Sequence, residues 1–471
     1  MSDLTELTAV ELLGGYRDGT VSPVDATQAA LDAIDTDNNE VNAFVSIKAD
    51  SALREARASE ARWRIGQPLG PGDGVPTSIK DIFYTRGWPT LRGTNLINPD
   101  SVWDQDAPCV ARLRETGAVL LGKTTTPEFA WKGVTDSLRY GSTGNPRAQG
   151  LTSGGSSGGS ATAVGLGMGP WSVGTDGGGS VRIPAAFTGT VAIKPTYGLV
   201  PMFPASPFGT LAHAGPMTRT VADAALLLDV ITGFDSRDWS ALPTPAGSFL
   251  DGLNDGVRGM RIAFSPTLGF GTNDPEIERL VRSAAEVLAE AGAIIEEVDP
   301  GIQDPVEAFH ILWFAGAAKV LEAYGPKAIS QVDPGLRRSI EDQGEISTSD
   351  FLGATAARMD LGVKMGRFHE TYDLLLTPTL PIAAFPRDRD APEGWHSPNW
   401  TSWTPYTYPF NMTQQPAVSV PCGFTEAGLP AGLQIIGPRH ADHKVLRAAQ
   451  TYEKAAAWGT ERPAHITARR G

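Results

Sequence analysis

Two stretches of this chain concentrate glycine and serine within apolar sequence, and they constrain its fold most. The first runs Thr152-Ser-Gly-Gly-Ser-Ser-Gly-Gly-Ser-Ala161, and the second runs Gly174-Thr-Asp-Gly-Gly-Gly-Ser-Val-Arg-Ile-Pro184. Such runs usually act as flexible linkers. Here an apolar helical segment and a short strand lie between them, so both are predicted to be ordered loops. Three consecutive glycines are costly in entropy and are expected where backbone N–H groups must approach a ligand closely.

A third block lies upstream and carries a lysine in an otherwise apolar stretch, Gly74-Val-Pro-Thr-Ser-Ile-Lys80-Asp81. Together with two serines of the glycine loops, Lys80 suggests a serine–serine–lysine nucleophilic site. Apolar neighbours and a neutral glycine loop would lower the pKa of the lysine by desolvation, because burial disfavours its charged form. A neutral lysine of this kind is able to act as a general base.

Composition excludes several function classes. Lys and Arg total 39 and Asp and Glu total 53, which gives a net charge of −14 and argues against nucleic-acid and membrane partners. The two cysteines cannot form a disulfide framework and do not lie in a zinc-binding pattern. The segment beginning at Met1 lacks the features of a signal peptide, and no apolar stretch is long enough to span a bilayer. A cytoplasmic protein without a metal site is predicted.

Repeated helix–glycine–strand units predict an α/β fold. Residues 107–116 form a candidate helix that Gly117 ends, and 118–121 form a candidate buried strand. The same unit recurs over 274–298. A single domain over 1–471 is predicted, with a central mixed β-sheet covered by helices on both faces. We divide it into N-terminal helices at 1–70, a catalytic core at 71–230, a helical elaboration at 231–370 and a C-terminal part of the core at 371–471. Within the last part, Phe385–Thr407 is predicted to be a long surface loop or lid.

Two motifs in the chain resemble well-known sites without fitting their structural context. Gly117-Ala-Val-Leu-Leu-Gly122-Lys123-Thr124 matches the nucleotide P-loop pattern. A P-loop needs those interior residues in a turn, whereas Ala-Val-Leu-Leu is itself a strand, so a strand followed by a surface turn is favoured. Gly155-Ser-Ser-Gly-Gly159 matches the nucleophile elbow of α/β-hydrolases, but no convincing strand precedes it and no histidine lies in a triad setting.

The three glycine, serine and lysine blocks closely resemble the amidase signature family of Ser–cisSer–Lys amide hydrolases. The resemblance is strong over about 74–230 and weaker over about 370–440. It implies the amidase signature fold and the hydrolysis of linear amides without a cofactor. It also implies that Ser180 is the nucleophile, that Ser156 is the bridging serine after a cis peptide, and that Lys80 is the general base. The oxyanion hole is expected at the backbone N–H groups of Gly177, Gly178, Gly179 and Ser180.

The substrate is predicted from the apolar run Gly198-Leu-Val-Pro-Met-Phe-Pro204. It favours an apolar or aromatic acyl group, with Trp131, Phe203 and Trp403 as candidate pocket residues. Small amides are the expected substrates of a stand-alone enzyme, with esters, hydrazides and carbamates also open, and a homodimer is compatible with the sequence. The alternative is the A subunit of glutamyl-tRNA amidotransferase, which shares the signature and releases ammonia from glutamine within a complex. A non-catalytic homologue is disfavoured because all three catalytic residues are present.

Overall fold

The computed structural model describes residues 4–456. Met1, at the start of the segment considered as a signal peptide, and His465, one of the histidines considered for a triad, therefore lie outside the described residues. An 11-stranded mixed sheet runs through this part of the chain, with a separate two-stranded ribbon beside it. The strands are β1 (Phe44–Ile47), β2 (Pro76–Lys80), β3 (Val119–Thr124), β4 (Asp136–Ser137), β5 (Gly141–Ser142), β6 (Trp171–Asp176), β7 (Val191–Lys194), β8 (His213–Thr218), β9 (Arg261–Phe264), β10 (Ile294–Glu297), β11 (Leu374–Pro378), β12 (Ala417–Phe424) and β13 (Pro430–Ile436). The large sheet has the order β1-β3-β2-β6-β8-β7-β12-β13-β11-β9-β10, and β4 and β5 form the ribbon.

Helices lie between most of these strands. They are α1 (Ala9–Asp18), α2 (Pro23–Val41), α3 (Ala49–Arg64), α4 (Pro108–Glu115), α5 (Gly158–Gly165), α6 (Arg182–Thr188), α7 (Val221–Ile231), α8 (Pro275–Glu290), α9 (Val306–Glu322), α10 (Pro334–Gln343), α11 (Thr348–Phe368), α12 (Pro409–Met412) and α13 (Asp442–Ala455). Short 3-10 turns occur at Glu128–Ala130, Gly209–Leu211, Ala328–Ser330 and Trp400–Trp403.

Local sequence signals set where several helices begin. Ser22 caps α2 by accepting a hydrogen bond from the Val24 N–H, and a proline occupies the first helical position. Asp274 caps α8 in the same way, and the apolar positions of this helix face the sheet. The helix–glycine–strand units predicted at 107–121 and 274–298 are therefore confirmed as α4–β3 and α8–β10.

Alternate residues along the strands contact two different apolar clusters, which shows that both faces of the sheet are covered. In β11, Leu374 and Leu376 pack with α7, α8 and α13, whereas Leu375 packs with α6 and α9 on the opposite face. In β3, Leu120 faces the first of these clusters, while its two neighbours face α2, α3 and α5. This alternation follows from the two-residue period of a strand. The predicted α/β fold with helices on both faces is confirmed.

The order of the strands brings two of the three sequence blocks together. Strand β2 pairs in parallel with β6, with Ile79 opposite Val173. Because the carboxyl ends of parallel strands meet at one edge, Lys80 at the end of β2 lies beside the glycine loop that follows β6. Helix α5, which starts directly after the first glycine–serine loop, packs against β2, β3 and β6.

Three sequence expectations differ from the structure. The segment 231–370 is not only helical, because it also supplies β9 and β10 to the large sheet. The segment Phe385–Thr407 is not a surface lid throughout, because Trp400, Trp403 and Tyr406 are buried in the core. The predicted turn after the P-loop-like strand is also wrong: β3 continues to Thr124, and Lys123 is fully buried. In residues 4–456 we find no helix with the length and apolarity needed to cross a membrane.

Candidate active site

Lys80 is surrounded by hydroxyl groups. Its Nζ lies 2.6 Å from the Ser156 Oγ, 2.9 Å from the Ser157 Oγ and 2.7 Å from the Thr175 Oγ1. The side chain has no exposed surface, and no carboxylate oxygen lies within 4 Å of its Nζ among the described residues. The structure thus brings together Lys80 and Ser156, as the sequence predicts, and adds two hydroxyl groups that sequence reasoning missed.

The hydrogen-bond network around Lys80 fits a neutral amine. The Ser157 hydroxyl donates to the carbonyl oxygen of Thr175 and accepts from the Thr175 N–H, so towards Lys80 it is an acceptor. A neutral amine has two N–H donors and one lone pair. If the donors go to Ser157 and Thr175, the lone pair of Lys80 is left for the hydroxyl proton of Ser156. Nothing else in this network requires a third ammonium proton.

Burial holds the pKa of Lys80 well below its ordinary value, because a charged ammonium would lose its hydration there. The charge of Asp176 acts in the opposite direction and is outweighed. A lysine in this state is available as a proton acceptor, which an ordinary surface lysine at neutral pH is not.

The two serines of the glycine loops face one cavity. The peptide bond between Gly155 and Ser156 is cis, as the family resemblance implies. Ser156 and Ser180 both line the cavity, and the Ser157 N–H donates to the carbonyl oxygen of Ser180 at 3.1 Å, which joins the two loops. Lys80 lies behind Ser156, on the side away from the cavity.

Asp176 and Arg182 fix the second glycine loop. The carboxylate of Asp176 accepts hydrogen bonds from the N–H groups of Gly179 and Val181 and from the guanidinium of Arg182. Burial by itself raises the pKa of this carboxyl, but Arg182, Lys194 and the Asn411 amide together hold the pKa well below its usual range. Arg182 also donates to Gln434 on β13, so the loop is tied to the far half of the sheet.

This arrangement corrects part of the predicted oxyanion hole. The N–H of Gly179 donates to Asp176 at 2.8 Å and is therefore already engaged. Of the three glycines, Gly177 lines the cavity beside Ser180. The positive φ of Gly179, 127°, lies in a region that favours glycine, so its role is to turn the chain. Gly177 and Gly178 stay as predicted donors.

Aromatic side chains from distant segments fill the space that the glycines leave open. A Cβ at Gly177 would lie 2.7 Å from the ring of Trp313, and one at Gly178 would lie 2.6 Å from the ring of Trp400. Trp313 belongs to α9, in a segment whose sequence carries no chemical motif. The loop and the two tryptophans therefore fit only while positions 177 and 178 carry no side chain.

The three predicted pocket residues have different positions. Phe203 lines the cavity, in a loop with a cis bond before Pro204. Trp403 does not, because it is fully buried and its ring stacks on Phe187 with the centroids 5.7 Å apart. Trp131 is also buried outside the cavity wall, and its carbonyl oxygen accepts a hydrogen bond from the indole N–H of Trp313 at 3.0 Å. Both tryptophans support the site from behind.

Most of the apolar wall was not predicted. It is formed by side chains from the segment after β2, the 3-10 turn after β3, the 202–208 loop and α9, among them Ile82, Phe83, Phe129, Met202, Phe208 and Trp313. Phe208 and Trp313 are stacked with their ring centroids 3.8 Å apart. The hydrophobic run after β7 does signal part of this wall, but nothing in the sequence shows that Trp313 lies against it.

Comparison with known proteins agrees with the family resemblance seen in the sequence. The family model described as Amidase matches residues 25–446. The chain belongs to the amidase family. It is 36% identical over 465 residues to an acylamidase of Rhodococcus erythropolis, with 97% of each chain covered. It is also 36% identical over 482 residues to the A subunit of the glutamyl-tRNA(Gln) amidotransferase of Myxococcus xanthus, covering 96% of this chain and 97% of the other.

Among solved structures, the fold is similar to that of a bacterial aryl acylamidase of the amidase signature family. The TM-score is 0.89, the sequence identity is 32%, and 96% of each chain is covered. This amidase is accordingly a hydrolase of carbon–nitrogen bonds in amides that acts on small molecules. The predicted resemblance and the amidase signature fold are both confirmed.

Proposed function

We propose that this amidase hydrolyses small amides with an apolar or aromatic acyl group through an acyl-enzyme on Ser180. The observation that carries the proposal is the contact of 2.6 Å between the Lys80 Nζ and the Ser156 Oγ, in a carboxylate-free pocket that lowers the pKa of the lysine. The pocket opens, through Ser156, onto a mainly apolar cavity that also contains Ser180.

In the proposed reaction, the Ser180 Oγ attacks the amide carbonyl carbon and its proton passes to Ser156. Ser156 at the same time gives its own proton to Lys80. Negative charge develops on the carbonyl oxygen, where we expect the N–H groups of Gly177, Gly178 and Ser180 to stabilise it. Removing one such donor typically costs about 3 kcal/mol of transition-state stabilisation.

Collapse of this tetrahedral intermediate needs a proton on the leaving nitrogen, because an amide anion is a poor leaving group. Protonated Lys80 returns the proton along the same path, through Ser156, and the C–N bond breaks. Water then attacks the acyl-enzyme with the same base, which releases the carboxylic acid and restores Ser180. The sequence of proton transfers needs no group other than the three side chains.

The composition of the cavity wall favours a stand-alone acylamidase over a glutamine-dependent amidotransferase component. Glutamine carries an α-ammonium group, which would require a carboxylate partner. Among the described residues that line the cavity, none is Asp or Glu. The similarity to an acylamidase and to an aryl acylamidase supports the same choice.

An amide panel with purified protein tests the proposal. Anilides and alkyl amides of apolar acids are expected to be turned over, and glutamine is not. Quenched reactions should show a mass increase equal to the acyl group, which Ser180→Ala abolishes. Ser172→Ala is the matched control, because this buried serine on β6 bonds Ser78 and lies outside the cavity wall. The proposal would be overturned if glutamine were the one member of the panel to be hydrolysed and if its hydrolysis required added partner proteins.

A further inference from the structure

One cationic side chain lies in the mainly apolar wall of the active-site cavity. Arg92 lines the same cavity as Ser156 and Ser180. No carboxylate oxygen lies within 4 Å of its guanidinium among the described residues, whereas several other described arginines have such a partner. The charge of Arg92 is therefore not neutralised by the protein.

The backbone of Arg92 is fixed relative to β2, the strand that ends at Lys80. Its carbonyl oxygen accepts a hydrogen bond from the Phe129 N–H at 2.7 Å, and the N–H of the preceding residue, Leu91, donates to Asp81, the residue after Lys80, at 3.3 Å. Its φ is 53°, a left-handed conformation that a non-glycine residue adopts only when its surroundings enforce it. The position of Arg92 is thus tied to the end of β2.

The side chain is also held in place. The guanidinium carbon lies 5.4 Å from the ring centroid of Tyr84, a distance at which the ring face attracts a cation. The Nε is buried and has no hydrogen-bond partner. A stacked guanidinium that lines the cavity and has no carboxylate beside it within residues 4–456 is suited to binding an anionic group of the substrate.

We propose that Arg92 selects amides that carry a free carboxylate away from the scissile bond. This inference rests on the proposed amide hydrolysis and specifies its substrate class: monoanionic amides with an apolar body and no ammonium group. The carboxylate would meet Arg92, the apolar body would lie along Phe203 and Phe208, and the amide carbonyl would reach Ser180. The absence of Asp and Glu from the described cavity wall leaves a substrate carboxylate unopposed and gives an ammonium group no partner.

Paired substrates test this proposal. Each pair consists of an anilide with one carboxylate and its neutral analogue, in which an acetyl group replaces the carboxylate. The carboxylate is placed in turn at the meta and para positions of the aniline ring and at the end of the acyl chain. We expect kcat/KM of the native enzyme to favour the carboxylate member of at least one pair by about tenfold or more. Rising ionic strength should reduce this preference.

Variants then assign the preference to Arg92. Arg92→Gln should lower kcat/KM for the carboxylate member more than for the neutral one, so that the ratio falls towards one, whereas Arg92→Lys should keep part of it. Arg139→Gln is the matched control and should keep the native ratio, because Arg139 stacks on Tyr140 and lies outside the cavity wall. An unchanged ratio in Arg92→Gln overturns the proposal.

The native enzyme alone keeps the proposal falsifiable if Arg92→Gln does not fold. An analogue with an aminomethyl group in place of the carboxylate should be the slowest member of each series. Equal rates for the anionic, neutral and cationic members would refute the role of Arg92 and leave the amide hydrolysis standing. Failure to hydrolyse any member would instead refute the proposed function itself.

Discussion

Two buried lysines of this amidase have opposite surroundings. Lys80 contacts three hydroxyl groups, whereas the Lys132 Nζ lies 2.5 Å from Asp136, 3.1 Å from Asp333 and 2.7 Å from Asp390. Burial lowers the pKa of both. At Lys80 that effect dominates, but at Lys132 the three carboxylates outweigh it and hold the pKa above its ordinary value.

The difference shows that burial alone does not make a lysine a base. Through its three partners, Lys132 joins the ribbon strand β4, the N-terminus of α10 and the segment 385–407. A permanent positive charge on Lys132 therefore helps to hold these three segments together. In the proposed reaction, Lys80 instead changes its protonation state during each turnover. The absence of a carboxylate in contact with its Nζ among the described residues allows this, because burial then outweighs the charge of Asp176 and the lysine is not held in its protonated state.

The largest expected effect is on activity at Lys80. Lys80→Met should lower kcat/KM by about 10³-fold or more, since Lys80 is the one basic side chain that bonds Ser156 within residues 4–456. The protein should still fold, because a neutral amine is replaced by an apolar chain of similar length. Steady-state kinetics with an anilide and circular dichroism measure the two outcomes. A variant that folds and keeps native activity would refute the proposed base.

The corresponding change at Lys132 should affect stability rather than chemistry. Lys132→Met leaves three buried or half-buried carboxylates without their cation, and removal of one partner of a buried ion pair typically costs about 3–5 kcal/mol. Urea unfolding measures this loss. Activity per folded molecule should be retained, because Lys132 lies outside the cavity. A loss of activity without a loss of stability would contradict this separation of roles.

The pH dependence of acylation is expected to follow Lys80. Below its pKa the lysine is protonated and cannot accept the Ser156 proton, so the rate should fall about tenfold per pH unit on the acid side. Because the pKa is lowered in the folded state, this limb should lie well below the ordinary range of lysine. Single-turnover rates of acyl-enzyme formation against pH provide the measurement; a limb at the ordinary lysine pKa would contradict a lowered value.

Lys80 also links stability to pH. At pH values between the folded and the unfolded pKa of Lys80, the lysine is neutral in the folded protein and protonated in the unfolded chain. The contribution of Lys80 to stability therefore rises as the pH increases through that window. In Lys80→Met this contribution should disappear, which a comparison of urea midpoints at several pH values can detect.

The smallest effect is expected at Asp136. Burial and the charges of Asp390 and Asp333 together raise the pKa of this carboxyl more than Lys132 lowers it, so its charge is not favoured by folding. Asp136→Asn should therefore change the free energy of unfolding by about 1 kcal/mol or less, since Lys132 keeps two carboxylate partners. A loss as large as that of Lys132→Met would show that the three carboxylates are not interchangeable.

The sequence predicted the parts of this site that depend on local patterns. Lys80 and Ser156 stand in dense motifs, and the structure brings both to one place. The position of Phe203 in the cavity wall followed from an apolar run. The helix–glycine–strand units predicted the layered fold because capping and periodicity are local signals.

The parts that failed depend on contacts between distant segments. Trp131 and Trp403 were candidate pocket residues, since a tryptophan in a loop is as suited to lining a pocket as to packing, but both are buried against other segments. Trp313 and Arg92 lie in stretches without a motif, so only the tertiary structure places them at the cavity. The engagement of the Gly179 N–H by Asp176 is likewise a matter of loop geometry that a run of glycines does not reveal.

The contact of the glycine loop with Trp313 and Trp400 has a practical consequence for redesign of this enzyme. Volume at positions 177 and 178 is shared with rings that come from 136 and 222 residues further along the chain. A single substitution in the glycine loop or at one of the two tryptophans will disturb the reaction centre. A paired substitution can instead add volume in the loop and remove the same volume from the ring. Gly178→Ala should therefore be tolerated better when Trp400 is replaced by a smaller aromatic residue. Libraries that vary these positions together will sample functional pockets that stepwise mutagenesis would discard.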